Sequence, residues 1–316
     1  MGEVLAIISA WFFSSGNVFM RRGMRPGSDN GVFMATFVNM IVFSGLLLIL
    51  HYSGRLPELT CMGFFLFVVA GLLTTYGGRS LLYAAVRAIG PSRAVAYRAS
   101  SPIFTVCLAF VFLSERFSLT QAVGICAVIA GVWSLSVEAA RRSDLAVGTV
   151  GPSGTDGSTR GSRAHGTFER RSLAGIIFGL GSSATFGTGH FVRKLAVMEV
   201  PSPYWGVAIG TTAGWLAMVL HATVRRDIKV LCRDNFNFHA PPWFFIVSGF
   251  FMAAGQLFVY LSIYMTAVSI AMVLASSEPL ATLVISRLFL GREEPLNWRV
   301  VLSAIAVFLG IVFVLL

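Results

Sequence analysis

Long apolar runs alternate with short polar, glycine- or proline-marked breaks along the whole chain. A hydrocarbon core ~30 Å thick takes about 20 apolar residues per helix. On that ruler the pattern predicts ten membrane-spanning helices: residues 3–20, 31–51, 61–86, 91–113, 119–137, 173–192, 203–223, 241–264, 267–288 and 298–316. Breaks fall at Gly23 to Gly27, Gly90-Pro91, Pro201 to Pro203 and Pro241-Pro242. Small-residue pairs inside the runs (Ser14-Ser15, Gly77-Gly78, Ser182-Ser183) suit close approach between helices. One stretch departs from this rhythm. Glu138 to Ser172 is rich in Gly, Ser, Thr and Arg, too polar to bury a core, and predicts a flexible linker between halves 1–137 and 173–316.

Composition agrees with the pattern. Hydrophobic residues make up 56% of the chain and charged residues 12%, about half the charged share of a soluble domain, so the chain belongs in a bilayer. The net charge of +10 sits mostly in connections between apolar runs, where it sets orientation. No basic, aromatic-interleaved domain exists to hold a nucleic acid. Cys61, Cys107, Cys126 and Cys232 lack metal-site spacing. The segment from Met1 to Phe13 has neither a basic start nor a small-residue cleavage site, and reads as a retained first helix.

The chain also repeats itself. Leu81 to Trp133 returns near the C-terminus: with Pro102 set on Pro279, Tyr83 falls on Tyr260, Ser100 on Ser277, Thr105 on Thr282 and Phe112-Leu113 on Phe289-Leu290. Two extra residues in the later loop bring Gly131 onto Gly310. Phe19 to Arg22 (FMRR) parallels Phe191 to Lys194 (FVRK). Five spans per half means that the second half enters the membrane from the opposite side, so the expected fold is all-α, two inverted five-helix repeats in the membrane. Such halves can exchange conformations and open a central site alternately to each side.

Each half ends in a proline-containing helix, a turn with glutamate and a glycine-bearing last helix. Pro102, Glu115, Gly124 and Gly131 carry this in the first half, Pro279, Glu293 and Gly310 in the second. The arrangement resembles the EamA-type branch of the drug/metabolite transporter superfamily, and Ser277-Glu278-Pro279 looks like its acidic-residue-then-proline signature. Departures are small. Arg292, not Glu293, falls opposite Glu115, and Ser101 stands where the second half has Glu278. The resemblance implies a ten-helix secondary carrier for small metabolites, with spans 1–4 and 6–9 lining the path. It does not imply a substrate.

Orientation draws two opposed answers. Eighteen Lys and Arg lie on the face reached after spans 1, 3, 5, 7 and 9, against four (Arg55, Arg116, Arg193, Lys194) on the other. The positive-inside rule then puts both termini outside, whereas the resemblance implies termini in the cytoplasm.

Ionisable groups within spans are costly and therefore functional candidates. They are Arg79, Arg98 and Glu278. Arg79 and Arg98 lie ~12 Å and ~10 Å from the same face by helical rise, and Glu278 near mid-membrane. Either arginine could hold a carboxylate or phosphate in its planar fork, snorkel to the interface, or, for Arg98, neutralise Glu278. Glu278 is also a candidate to bind and release a coupling proton. Pro102 and Pro279 are expected to kink their helices. Gln256 occupies the second-half position of Arg79. Asn17, Tyr83, Tyr260 and Ser277 complete the candidate substrate-binding set, each also suited to an interhelical hydrogen bond, and His190 is expected to be structural.

No nucleophile–base pair, metal set, cofactor site or phosphate loop is apparent. The sequence therefore leads to a carrier in a cell membrane (plasma or inner), with no enzymatic activity. It would move a small polar or amphiphilic metabolite, expected to bear an anionic group, outward by alternating access, with protons as candidate coupling ions. An intramembrane lipid-modifying enzyme would need a second acid or histidine set beside Glu278. A non-transporting receptor or assembly protein would need a folded extramembrane domain.

Overall fold

The computed structural model describes residues 1–23, 31–54, 56–148, 163–229, 232, 243–290 and 298–316. Those residues form helices and connections, with no strand among them. The expected breaks at Gly27 and Pro241-Pro242, the second glutamate turn with Arg292 and Glu293, and the middle of the linker lie outside the described residues.

In the first half the helices are α1 (Gly2–Gly23), α2 (Val32–Tyr52), α3 (Cys61–Gly71), α4 (Gly78–Ile89), α5 (Pro91–Arg98), α6 (Ser101–Phe112) and α7 (Leu119–Gly148). The second half has α8 (Arg163–Glu199), α9 (Pro203–Val224), α10 (Trp243–Met265), α11 (Val268–Ala275), α12 (Glu278–Leu290) and α13 (Trp298–Leu315). Spans 4 and 9 are thus each two helices, α5–α6 and α11–α12. Span 3 runs through a six-residue π-helical stretch, Leu72–Gly77, between α3 and α4. The flanking helices reach further into the expected linker than its composition suggested, to Gly148 on one side and from Arg163 on the other.

Among the described residues nine helical stretches are long and apolar enough to cross a membrane. The tenth expected span, 173–192, lies inside α8, where Gly, Ser, Thr and His dilute the apolar character without interrupting the helix. Local chemistry starts two helices on one face. The Thr60 hydroxyl accepts from the Gly63 amide at 3.0 Å to begin α3, and Ser202 accepts from Trp205 at 3.5 Å to begin α9. Gly90, at φ +87°, makes the turn between α4 and α5 that a side chain would strain.

Packing follows a twofold pattern. α1 lies against α10, as α8 lies against α3 and α4; α2 lies against α9, and α7 against α13. The last pair shows the relation most directly. A Cβ on Gly124 would come within 2.8 Å of the Gly310 carbonyl, and one on Gly310 within 2.9 Å of the Gly124 carbonyl. One on Gly131 would stand 3.0 Å from the Ser303 carbonyl. As Gly131 aligns with Gly310, Gly124 aligns with Ser303, so each contact is the other with the halves exchanged. The chain positions run oppositely along the two helices, which is the geometry of an inverted repeat. Val128 and Val307, fully buried, fill the space beside this crossing.

Candidate functional site

Spans 4 and 9 are interrupted at aligned positions. Ala99 and Ser100 separate α5 from α6, and Ser276 and Ser277 separate α11 from α12. At both breaks the chain tightens into shorter-range bonds: the Ser100 amide donates to the Tyr97 carbonyl at 3.0 Å, and the Ser277 amide to the Leu274 carbonyl at 3.1 Å. Pro102 and Pro279 stand second in the helices that follow. Lacking N–H groups, they cannot donate to the carbonyls of Arg98 and Ala275. The expected kinks are therefore full interruptions, placed just before each proline.

The interruptions present opposite charges. Arg98 is the last residue of α5 and Glu278 the first of α12. A cation at a helix C-terminus and an anion at an N-terminus are each favoured by the helix dipole, by about 0.3–1 kcal/mol at exposed sites. The Arg98 Nη2 lies 3.8 Å from the Glu278 Oε2, with the two side chains 34% and 21% exposed. A close guanidinium–carboxylate pair would stand at ~2.8 Å. The pair is loose and partly accessible, so the guanidinium retains donors for another acceptor. The Phe186 ring also lies near it, 5.5 Å away.

Helix α1 holds the carboxylate from the far side. The Asn17 Nδ2 donates to the Glu278 Oε1 at 2.5 Å, and the Ser14 hydroxyl to the Glu278 carbonyl at 2.8 Å. Thr282 also donates to that carbonyl, at 2.9 Å. Asn17, Arg98 and Glu278 thus meet at one point built from spans 1, 4 and 9.

Other candidates fall elsewhere. Arg79, half-buried, donates to the Thr36 hydroxyl at 3.1 Å. It lies within electrostatic reach of Arg98 and of Tyr83, one turn further along α4. Gln256 repeats the contact in the other half, donating to Thr211 at 3.0 Å. Ser277 is 5% exposed and its hydroxyl turns back to the Leu274 carbonyl at 2.7 Å, so it does not face the Arg98–Glu278 pair. Tyr260 is fully buried, packed with Phe67, Val207 and Ala253. Tyr260 and Gln256 therefore stand apart from the central cluster in this conformation.

Two functional-looking residues, Arg193 and Lys194, are not among the candidates the sequence offers, and a third, Glu115, is expected there only as part of the glutamate turn. Arg193, counted there with the connections, is only 4% exposed. Its Nη2 donates to Thr74 at 3.2 Å and its guanidinium carbon lies 4.0 Å from the centre of the Tyr260 ring. Lys194 donates to the carbonyls of Ile263 and Thr266, both at 2.8 Å, closing the C-terminal end of α10. Glu115 accepts from the amides of Val268 and Ser269 at 2.9 and 3.3 Å, capping α11. Thr266 also donates to Glu3 at 3.1 Å. These contacts tie spans 1, 4, 6, 8 and 9 together on one membrane face. The doubled FMRR/FVRK segment was the available sign that Arg193 and Lys194 do more than balance charge.

Inverted bundles with paired helix breaks at their centre define a membrane-transport fold. A profile of the EamA-like transporter family matches residues 1–137 and 173–316; the chain belongs to that family and is a membrane transporter of small molecules. No curated protein matches. A solved crystal structure, described only as that of a protein, is similar over 100% of this chain and 98% of the other, with a TM-score of 0.65 and 12% identity. That likeness supports the fold alone.

Proposed function

We propose that this protein is a secondary carrier that exports a small polar or amphiphilic metabolite bearing an anionic group, by alternating access, from a cell membrane. Residues 1–137 and 173–316 are its two moving halves, joined through 138–172. The observation that carries the reading is the loose Arg98–Glu278 pair at two aligned helix interruptions, 3.8 Å apart and partly exposed. Interrupted helices place charged side chains and helix ends in the middle of a bilayer, where substrates and coupling ions are held.

In this reading Arg98 takes the substrate's anionic group while Asn17 positions Glu278. Arg79 strengthens the positive field on the approach. Glu278 exchanges a coupling proton. With Glu278 protonated, its claim on Arg98 weakens and the guanidinium is offered to the substrate; with Glu278 ionised, the substrate is displaced. Substrate binding and proton uptake are then linked through one pair of side chains, so substrate and proton leave together.

Export is tested by comparing extracellular metabolites from cells with and without overexpression, then loading the enriched compounds into liposomes containing the purified protein. Efflux accelerated when the liposome lumen is made acidic relative to the outside supports the reading. Efflux that is absent for every enriched compound overturns it.

A further inference from the structure

A second feature lies on α8, away from the central pair. Phe186, His190 and Arg193 are spaced four and three residues apart, so they share one helix face. Phe186 lies beside Arg98, and Arg193 is ~10 Å further along the helix. Side chains on a helix lean toward its N-terminus, which carries the Arg193 head back toward the membrane interior.

The surroundings of that head are unusual. Arg193 is 4% exposed and makes no ion pair among the described residues. Its Nη2 has Thr74, but its Nε is buried with no hydrogen-bond partner. The His190 Nδ1 is also buried without a partner, and the Tyr260 hydroxyl is buried with no hydrogen bond of good geometry, its near neighbour being the Arg193 guanidinium itself. Tyr260 stacks under the guanidinium, and the charge of Arg193 reaches His190. Of the acids on the same face, Glu115 is held by Val268 and Ser269, Glu199 by Thr60 and Glu3 by Thr266, and Glu58 is exposed.

A buried guanidinium without a carboxylate is expensive, and stacking on one ring offsets only part of that cost. Its own unpartnered Nε and the unpartnered His190 Nδ1 beside it add to the expense. Fixed structural charges are ordinarily neutralised by the protein itself. We propose that the counter-charge is supplied by the cargo: Arg193, His190 and the Tyr260 hydroxyl form an anion-binding station for a carboxylate or phosphate group. It stands between the Arg98–Glu278 pair and the face closed by Lys194 and Glu115. The inference rests on the carrier reading and extends it from one binding point to two along the path. Substrate entering or leaving by that face passes from one guanidinium to the other as the Lys194 and Glu115 contacts part.

The test uses the full chain in detergent at constant chloride. Its melting temperature is measured with glutarate, glycerol phosphate, and their uncharged counterparts glutaramide and glycerol. A station raises the wild-type midpoint by more than ~2 °C at saturating anion, as expected for ligand held by the folded state, and the neutral compounds leave it unchanged. Response to glutarate alone assigns a carboxylate site, and response to glycerol phosphate alone a phosphate site. Arg193→Gln at least halves the shift, leaving the part that Arg98 supplies, and, by removing an uncompensated charge, melts no lower than wild type in anion-free buffer. An Arg193→Gln protein that melts lower and keeps the full shift makes Arg193 a packing residue and overturns the station, as does a wild type that no anion stabilises. Should Arg193→Gln fail to fold, Tyr260→Phe and His190→Leu decide: an apparent affinity weakened at least ~3-fold supports the station, since each removes a hydrogen bond, and unchanged affinity in both overturns it. Flux in liposomes separates the two readings. Anion binding without transport refutes the carrier and leaves the station, while transport unaltered in Arg193→Gln refutes the station and leaves the carrier.

Discussion

Arg98 and Glu278, 180 residues apart in number, stand 3.8 Å apart at the ends of two interrupted helices that occupy matching places in the two halves. Neither has an opposite charge at its own aligned position: Ala275 faces Arg98 in the repeat, and Ser101 faces Glu278. The duplicated scaffold has therefore diverged at its centre to make one asymmetric ion pair.

Replacing Glu278 by Gln keeps the contact with Asn17 and removes the titrating proton. Transport driven by a pH gradient should fall about tenfold, in line with loss of a charge-assisted contact worth ~1.5–3 kcal/mol, and should become flat with pH. Uptake assays in liposomes at several internal pH values measure this. A steep pH dependence retained by the variant would remove Glu278 from proton coupling.

Arg79 acts at a distance through its charge. Arg79→Ala should weaken anionic substrates about 3- to 10-fold, the loss of ~1 kcal/mol expected for charges interacting across a few ångströms of partly hydrated path, and leave neutral analogues unaffected. Competition against a transported reporter gives both values. Equal weakening of the two classes would show that the Thr36 contact, rather than charge, is what Arg79 supplies.

The closed face depends on Glu115 and Lys194. Removing the cap with Glu115→Ala should lower stability by ~1–2 kcal/mol and loosen the α10–α11 connection. A cysteine placed at Thr266 should then react faster with a water-soluble maleimide than it does in the parent. Unchanged reactivity would mean that Glu115 stabilises α11 without holding the face shut.

The α7–α13 crossing leaves no room for a side chain at Gly124 or Gly310. Gly124→Leu should lower stability by ~1–3 kcal/mol, the usual range for overpacking. Phe308→Leu, at a position 62% exposed toward lipid, should be near neutral. Comparing melting midpoints of the two variants in detergent checks the assignment, and a harmless Gly124→Leu would contradict the packing of the repeats.

Several features could be read from the chain alone, because they depend on lipid and on local backbone chemistry. Apolar runs of span length have few alternatives in a membrane, so the helices and the doubled architecture follow directly. Pro102 and Pro279 announce interruptions because a missing N–H is a property of the residue itself. Arg98 and Glu278 were visible as charges that a bilayer does not tolerate without a reason.

What needed the folded chain is which side chains meet. Arg193 sits at the edge of an apolar run, and hydropathy reads such a residue as interfacial; only the approach of the Leu72–Gly77 stretch and α10 to α8 buries it against Thr74 and Tyr260. Ser277 and Asn17 look equally polar in sequence, yet one bonds back to its own helix and the other reaches Glu278. A one-dimensional pattern records how much a residue favours lipid or water. Contact between helices also depends on rotation about each axis and on the register between neighbours, and those are set by the packing of the whole bundle.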